Sequence, residues 1–545
     1  MKNLFIWIFL NVILLIPNQT IAQIDTAWSR VYEAGAWDEL HAVVTDPLGS
    51  VYVTGSSYVW GTGSDIITMK YSSNGVLEWI KRLSFSSSGF EQGQNIAFHN
   101  GDIYVSGFSS SGGSTALGRF FLIKYSNSGD SIWSYLDNNT YEGEPTAMHF
   151  DSENNIILAG YNGSTNSDFI TMKIDPTGNQ IWMSTFNSEN SGGANKIWDM
   201  CLDENDNIYV TGISEVYLVS TLDVTTIKYN TNGDSLWVRR FNGPANYHDA
   251  GRKIKYHSSG YLYVGGSVSN SNAPNYSDFA LLKYDTSGTL IWDKLFNNTF
   301  NASDNLKDMA VDSLGAIYLV GTGSKSGDFT KNYLELVKYA HTGDTLWTSN
   351  LDLPNADEVT QMVSDESSNL FITGMTLNNS NGGYNGLTCK FDSSGNLIWY
   401  NEFNGPLNNE DQLYALTLDS ENDLITVGRT KNDTTTMDFL TLKYLNGISN
   451  IPEIISSYSD FNISSFPNPA VGEVVFLNYY LPKNQVINLR IFDLLGNEVY
   501  FAELGKQILG NHSMQLYTSS FKYGIYICVL SSDYKSAQTK MILIK

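Results

Sequence analysis

Tryptophan returns at a nearly constant interval along most of this 545-residue chain, and that period constrains the fold more than any other feature. Successive copies lie 49 to 55 residues apart, and most follow an apolar strand, a short Asp/Asn/Ser/Gly turn and a second apolar strand. This order is typical of a β-hairpin, in which glycine supplies the positive φ that the turn needs. Eight of the twelve tryptophans belong to the series: Trp28, Trp79, Trp133, Trp182, Trp237, Trp292, Trp347 and Trp399.

A second apolar phrase with a terminal glycine also occurs eight times. An Asp-led turn and another apolar strand precede most copies, so each unit is expected to contain four strands, A to D. Strand B is this phrase and strand D carries the tryptophan. Four-stranded units that repeat in this way are typical of β-propeller blades. The copies are Val51–Gly55, Ile103–Gly107, Ile156–Gly160, Ile208–Gly212, Leu262–Gly266, Ile317–Gly321, Leu370–Gly374 and Leu424–Gly428.

The two ends of the repeat array predict how the ring closes. Trp28 has no A, B or C strand before it, and the last C strand, Met437–Tyr444, has no tryptophan after it. If the N-terminal strand serves as strand D of the last blade, each of the four strand types occurs eight times. We therefore predict an all-β, eight-bladed propeller with 3+1 closure, in preference to seven blades with a leftover strand.

The connections between strands divide into two faces. The A–B and C–D turns are short and uniform, whereas the B–C and D–A connections vary in length and sequence. Variable loops on a rigid scaffold usually carry binding, so any ligand site is expected on their face or in the central channel.

Aspartate occupies one register at the start of strand A, eight residues before the A–B turn. These carboxylates could form a cation or basic-ligand site at the channel mouth, with Ca²⁺ as the candidate ion. Alternatively, each could hydrogen-bond the backbone of its own loop, which we favour because repeats copy structural residues. The register contains Asp38, Asp249, Asp304, Asp357 and Asp411, with Asn195 in a sixth unit.

Motifs for catalysis, cofactors and metals are absent from the sequence. Its seven histidines form no HxxxH or HExxH pattern, and there is no GxSxG elbow or phosphate loop. Cys201, Cys389 and Cys528 stand alone in apolar segments, which favours buried free thiols over zinc ligands. Carboxylates and tyrosines are plentiful, so an enzyme remains open, but we assign no catalytic residue and no cofactor.

Charge separates the chain into two parts. The 56 acidic and 32 basic residues give a formal net charge of −24, which argues against nucleic acid as a partner. From Ile451 onward seven acidic and seven basic residues cancel, so all the surplus negative charge lies on the repeats. No segment after the N-terminus is long and apolar enough to cross a membrane, and we expect a monomer.

The first 22 residues are predicted to be a secretory signal peptide. Lys2 precedes an apolar run from Leu4 to Ile16, and Thr20-Ile21-Ala22 places small residues where a signal peptidase cuts. The run is short for a membrane anchor, which needs about 20 apolar residues.

The repeats resemble two known families. Phe241-Asn242-Gly243-Pro244 and Phe403-Asn404-Gly405-Pro406, each followed by a strand B phrase, are similar to the SBBP repeats of bacterial surface propellers. The Asp-x-x-Gly-x-x-x-Trp phrase resembles the tryptophan-docking repeat of eight-bladed quinoprotein propellers, which describes how blades dock. The expected domains are residues 23–445 for the propeller and 446–465 for a polar linker.

Four motifs follow one another near the C-terminus: Phe466–Pro469, Leu489–Gly496, Tyr523–Tyr526 and Lys540–Lys545. With these motifs, residues 466–545 resemble the type A C-terminal sorting domain of the type IX secretion system, a small β-sandwich. Four ordered motifs carry the resemblance, and the last ends at the chain terminus. It implies passage through the periplasm and then across the outer membrane by the type IX machinery. The motif residues that we single out are Phe466, Pro467, Asn468 and Pro469, then Gly496, Gly524, Lys540 and Lys545.

Three functions are compatible with these observations. The first is a secreted or cell-surface propeller that binds a glycan or a protein without catalysis. The second is a secreted enzyme that degrades a polysaccharide or a protein at the channel mouth. The third is a purely structural surface protein. Aromatic residues in the variable loops would suit sugar stacking but equally suit packing between loops: Tyr58, Trp60, Tyr217, Tyr276 and Tyr384.

Overall fold

The computed structural model describes residues 26–544, apart from short gaps. All helix and strand elements in this part of the chain are β-strands. The chain forms two compact units that divide between Ser449 and Asn450. The gaps are residues 62, 87–88, 111–117, 139–142, 164–166, 189–192, 216–220, 270–275, 299, 301, 326–331, 353–356, 378–382, 406, 408–409, 432–435, 447–461, 467, 469, 472–473, 482, 494–496, 508–509 and 533–535.

The larger unit, called the blade domain here, consists of 32 described strands. Those of its first half are β1 (Thr26–Tyr32), β2 (Trp37–Thr45), β3 (Val51–Val59), β4 (Gly63–Tyr71), β5 (Leu77–Leu83), β6 (Phe90–His99), β7 (Asp102–Ser110), β8 (Arg119–Ser126), β9 (Ser131–Leu136), β10 (Gly143–Phe150), β11 (Ile156–Asn162), β12 (Asp168–Ile174), β13 (Gln180–Phe186), β14 (Asn195–Leu202), β15 (Ile208–Glu215), β16 (Leu222–Tyr229) and β17 (Ser235–Phe241). Those of its second half are β18 (Asp249–His257), β19 (Tyr261–Ser269), β20 (Ser277–Asp285), β21 (Leu290–Phe296), β22 (Asp304–Val311), β23 (Ile317–Ser324), β24 (Asn332–Tyr339), β25 (Thr345–Leu351), β26 (Asp357–Ser364), β27 (Leu370–Leu377), β28 (Tyr384–Phe391), β29 (Leu397–Phe403), β30 (Asp411–Leu418), β31 (Leu424–Thr430) and β32 (Asp438–Tyr444).

These strands form repeated four-stranded antiparallel units of the kind found in propeller blades, numbered 1 to 8 from β2 onward. Units 1 to 7 each run A-B-C-D in chain order, from β2–β5 to β26–β29, and a single bridge from Ser64 to Phe90 joins units 1 and 2. In the last unit β30, β31 and β32 supply strands A to C, and β1 pairs antiparallel with β32. The N-terminal strand therefore occupies the strand D position beside the last C strand.

Seven of the eight strand D tryptophans pack on a glycine in the C–D turn of the following unit. Gly288 has a φ of +82°, and a Cβ there would lie 2.8 Å from the indole of Trp237, so only glycine fits without strain. The indole Nε1 of Trp237 donates to the carbonyl oxygen of Thr286 in the same turn at 3.2 Å. Turn glycines at the equivalent positions in other units are Gly75, Gly129, Gly178, Gly233, Gly343 and Gly395.

A lysine of strand C ties neighbouring units together on the same face. Lys283 is buried, lies over the ring of Tyr263 and donates to the carbonyl oxygen of His341 in the next turn at 2.8 Å. Lys443 pairs with Asp419 of its own A–B turn at 2.6 Å. The strand C lysines on the short-turn face are therefore engaged in contacts within the blade domain. The eight lysines are Lys70, Lys124, Lys173, Lys228, Lys283, Lys338, Lys390 and Lys443.

The smaller unit contains two sheets that share one hydrophobic core. Leu477, Leu489 and Leu530 from three of its strands are fully buried together in that core. One sheet has the order β33-β35-β38 and the other β34-β40-β39-β36-β37. The strands are β33 (Asn462–Phe466), β34 (Ala470–Val471), β35 (Val474–Leu481), β36 (Gln485–Asp493), β37 (Glu498–Gln507), β38 (Gly510–Tyr517), β39 (Gly524–Ser532) and β40 (Ser536–Ile544).

All three cysteines are buried as free thiols, as the sequence predicts. Among the described residues, no helix is long and apolar enough to cross a membrane.

Candidate functional site

Four of the five predicted aspartates lie buried at the start of strand A. Asp38 and Asp304 are fully buried, and Asp249 and Asp411 are 1% exposed. Asn195 occupies the same register and is also fully buried. The side chain of Asp357 lies outside the described residues, although its backbone begins β26.

Each of these carboxylates accepts hydrogen bonds from the loop that enters its own strand. Asp38 accepts from the backbone N–H of Ala34 at 2.6 Å. Asp411 accepts from the backbone N–H of Gly405 at 2.7 Å, and Asp249 accepts from the N–H groups of Gly243 and Ser269. This geometry is typical of Asp in turns and favours the loop-holding interpretation of the register.

Glu91 is a member of this register that the sequence analysis missed. It is fully buried in unit 2, and its carboxylate accepts from the backbone N–H of Phe85 at 2.9 Å and the hydroxyl of Ser109 at 3.0 Å. The signal was present, since Glu91 lies eight residues before the tight turn at His99. The register was defined by aspartate, and unit 2 carries a glutamate there instead.

A second acidic register lies at the start of strand C, next to the first across strand B. Asp249 pairs with Val268 of β19, and Val268 pairs with Asp278 of β20. Some blades therefore have two acidic side chains at the end on the variable-loop face. In this second register three aspartates are buried and two, Asp65 and Asp168, are partly exposed. Members of this second register are Asp65, Asp168, Asp223, Asp278 and Asp438.

These carboxylates do not converge on a metal site in the part of the chain that the structure describes. No three His, Cys, Asp or Glu side chains there are placed to hold a metal ion. The structure therefore gives no geometric support to the cation interpretation, and Ca²⁺ stays a prediction from sequence.

Burial shifts several of these carboxyls toward their neutral form. Desolvation, with the nearby charges of Glu335 and Asp278, raises the pKa of Asp304 to about 7. Desolvation also raises the pKa of Glu335 to about 7 and that of Asp223 to about 6. Unit 6 thus places two acids that titrate near neutral pH close together.

We expect the blade domain to lose stability between about pH 4 and pH 7 through this pair. A carboxyl whose pKa is higher in the folded chain contributes stability below its unfolded value of about 4 and loses it as pH rises through about 7. The double variant Asp304→Asn/Glu335→Gln should flatten this fall, as measured by the melting temperature across that range.

The turn residue Asp285 is the matched control for the pH dependence. Its carboxylate accepts from the N–H groups of Ser287 and Thr289, which lower its pKa although desolvation opposes them. Because a carboxyl with a lowered pKa is ionised above about pH 5 in both the folded and the unfolded chain, Asp285→Asn should change stability by a constant amount from there up to pH 7 and leave the slope unchanged. If the double variant keeps the slope of the parent protein, Asp304 and Glu335 do not titrate as the structure indicates.

Strand A contains a bulge in every unit, and the bulged residues form an inner belt. A bulge inserts one unpaired residue and re-aims its side chain. Belt residues of neighbouring units meet directly: His41 stacks on Tyr414, and the guanidinium of Arg252 lies 3.7 Å from the ring centre of Trp198. The belt consists of His41, Gln94, Thr146, Trp198, Arg252, Lys307, Thr360 and Tyr414.

One part of the belt forms a polar network between the last and first units. Arg429 pairs with Glu39 and lies over the rings of Trp37 and Tyr414. Desolvation lowers the pKa of His41, so its imidazole is neutral at neutral pH. The charges of this network are largely satisfied by one another.

Another part of the belt lines a cleft of about 420 Å³ across units 4 to 7. Trp198, Arg252 and Lys307 contribute their side chains from three successive A strands. Lys307 pairs with Glu358 at 2.8 Å, and Lys253 lies 3.4 Å from Asp308. Asn305, Thr322 and Asn332 add amide and hydroxyl groups to the wall.

Variable-loop aromatics are only partly covered by the structure. Trp60 is 80% exposed and meets Tyr58 edge to face at 5.5 Å. Tyr276 and Tyr384 border gaps, and Tyr217 lies outside the described residues.

In the smaller unit, the first and last sorting motifs meet through Asn468. Its amide donates to the carbonyl oxygen of Lys540 at 2.7 Å, and its side-chain oxygen accepts from the N–H of Ile542 at 2.8 Å. Gly524 begins β39, which pairs along its length with β40. Phe466 lies at the end of β33, with its side chain undescribed. Pro467, Pro469, Gly496 and Lys545 lie outside the described residues.

The blades and the smaller unit define a repeat protein of propeller type with a C-terminal export module. Residues 464–545 match the family of secretion system C-terminal sorting domains. The type IX sorting domain that the motifs predict is thereby confirmed, and it indicates a secreted or outer-membrane surface protein. The signal peptide at residues 1–22 lies outside the described residues and stays a prediction.

Solved structures with similar folds include propellers of different functions, and no curated protein matches the chain. The WD40 domain of SCAP from fission yeast is 7% identical, with a TM-score of 0.42 over 78% of this chain and 98% of that chain. A polysaccharide lyase of family PL25, an ulvan lyase, is 12% identical, with a TM-score of 0.39 over 66% of this chain and 94% of that one. Similarity at this level carries no information about a ligand.

Proposed function

We propose that the blade domain is a closed ring of eight blades, completed 3+1 by β1, which acts as a binding module on the cell surface or in the medium. The pairing of β1 with β32 supports the closure. So does the hydrogen bond from Asp38 N–H to the carbonyl oxygen of Met437 at 2.9 Å. Trp28 of the N-terminal strand and Phe439 of the last blade also share one core cluster.

The difference between the two faces is the observation that carries the binding function. On the short-turn face, lysines, turn aspartates and indoles are engaged in contacts between and within blades. The opposite side has the variable loops, the buried carboxylates and the cleft with Arg252. We therefore assign ligand binding to the variable-loop face, with an extracellular glycan or protein as the ligand and no catalytic step.

Blocking one face at a time tests this assignment. All native cysteines are buried, so a new surface cysteine can be labelled selectively. Trp60→Cys lies on the variable-loop face and Leu314→Cys on the short-turn face, and both parent side chains are at least 80% exposed. After biotinylation and capture by streptavidin, the Trp60→Cys protein should lose binding on a glycan and surface-protein array. The Leu314→Cys protein should bind as the parent does.

Loss of binding only after blocking at Leu314 would contradict the assignment to the variable-loop face. The enzymatic alternative is tested by incubating the protein with the same glycans and proteins in solution, and its candidate residues are His41, Tyr414 and Arg429. Release of shortened products, lost in His41→Ala, would identify the protein as a degrading enzyme instead.

A further inference from the structure

We infer that the cleft across units 4 to 7 is a binding site for a sugar acid, with Arg252 as the group that binds the carboxylate. The inference deepens the proposed function, because it names a ligand class for the variable-loop side of the ring. It rests on the arrangement of Arg252, Trp198, Asn305 and their neighbours in the cleft.

Arg252 is the cation in the cleft that its surroundings leave uncompensated. Its guanidinium lies over Trp198, and no ion-pair or hydrogen-bond partner is found for it among the described residues. Desolvation alone lowers its pKa, so no neighbouring carboxylate offsets the burial. A partly buried charge without a partner is costly, and a ligand carboxylate would supply that partner through two parallel hydrogen bonds.

The other cationic side chains of the cleft already have carboxylate partners, so Arg252 is the cation there that lacks one among the described residues. Lys253 and Lys307 also line the cleft, and they pair with Asp308 and Glu358 respectively. The site therefore offers one strong carboxylate contact instead of a broad basic patch. Since the repeats carry the whole negative surplus of the chain, a densely charged polyanion would be repelled by the ring.

The remaining lining favours a sugar over an acidic peptide. The side chains of Asn305, Asn332 and Thr322 present groups that both donate and accept hydrogen bonds. Sugar hydroxyl groups have the same dual character, and several are fixed around one ring. The indole of Trp198 adds an apolar surface, a common element of small-ligand sites with few polar groups.

Titration of the full chain from Gln23 with trigalacturonate tests the inference. Its fully methyl-esterified form has the same shape without charge, and a triglutamate peptide carries the charge on a different backbone. We expect calorimetry to show binding of trigalacturonate, at least tenfold weaker binding of the ester, and no comparable binding of the peptide. Absence of trigalacturonate binding, equal binding of the ester, or preference for the peptide would each overturn the inference.

Variants locate the contact. Arg252→Gln should weaken trigalacturonate binding at least tenfold, and Arg252→Lys should give an intermediate loss because lysine lacks the planar fork. The matched control is Arg82→Gln, which removes an arginine already paired with Asp65 at 2.9 Å and should leave binding unchanged.

A second variant keeps the test independent of folding at Arg252. Asn305 is exposed in the cleft, and Asn305→Asp adds a negative charge of nearly the same shape. It should weaken trigalacturonate binding while leaving the melting temperature unchanged. Binding unaffected by both Arg252→Gln and Asn305→Asp would place the sugar elsewhere. The face-blocking experiment measures binding to the ligands of the array and not to trigalacturonate. Failure of this site and failure of the proposed function therefore give different results.

Discussion

Deletion of residues 464–545 is expected to abolish delivery of the protein to the cell surface or medium and leave the blade domain in the periplasm. The sorting domain is a compact unit with its own core, so its removal takes away the element that the type IX machinery reads. The blade domain keeps its own core clusters and should remain folded. Protease accessibility on intact cells, with fractionation of the periplasm, measures the result.

A point variant distinguishes loss of the signal from loss of the domain. Asn468→Ala removes the side chain that joins the first motif to the carbonyl oxygen of Lys540 and the N–H of Ile542. It leaves two backbone groups without their partner and should reduce delivery strongly. Asn497→Ala, which removes an exposed hairpin amide, is the control. Surface delivery that survives the deletion would show that another part of the chain directs export.

Replacement of Trp28 by alanine is expected to be among the most destabilising single changes in the blade domain. The indole is 3% exposed, packs on Gly75 and donates to the carbonyl oxygen of Ser73 at 3.0 Å. Truncation of a buried tryptophan costs about 3–5 kcal/mol. Because Trp28 belongs to the strand that joins the two ends of the array, the loss should lower the unfolding midpoint of the whole domain cooperatively.

Two further tryptophans calibrate the Trp28 experiment. Trp399→Ala changes a docked indole inside the array, 2% exposed, and should cost a similar free energy of unfolding. Trp60→Ala changes an indole that is 80% exposed and should cost less than about 0.5 kcal/mol. If denaturant unfolding of Trp28→Ala matches that of Trp60→Ala, β1 does not close the ring.

The repeat architecture could be predicted from sequence because its determinants are local. A turn glycine such as Gly288 and a strand tryptophan such as Trp237 recur at one period, and each copy specifies the same hairpin and the same docking contact. The sorting domain could likewise be predicted from sequence, because its motifs are short and follow one another in the order typical of the family. The aspartate register was seen in five units, but Glu91 was missed because the register was defined by aspartate and unit 2 has a glutamate at that position.

The sequence by itself determined the four-stranded repeat, the export module and the placement of negative charge on the repeats. Only the tertiary structure decided that the four aspartates with described side chains accept hydrogen bonds from their own loops. It also decided that Arg252, Trp198 and Asn305 meet in one cleft. These three residues come from three separate units and form no motif along the chain. They come together because the strand A bulges re-aim side chains and because neighbouring blades pack against one another. Each unit by itself has an ordinary repeat sequence, so the sequence of one unit does not reveal the cleft.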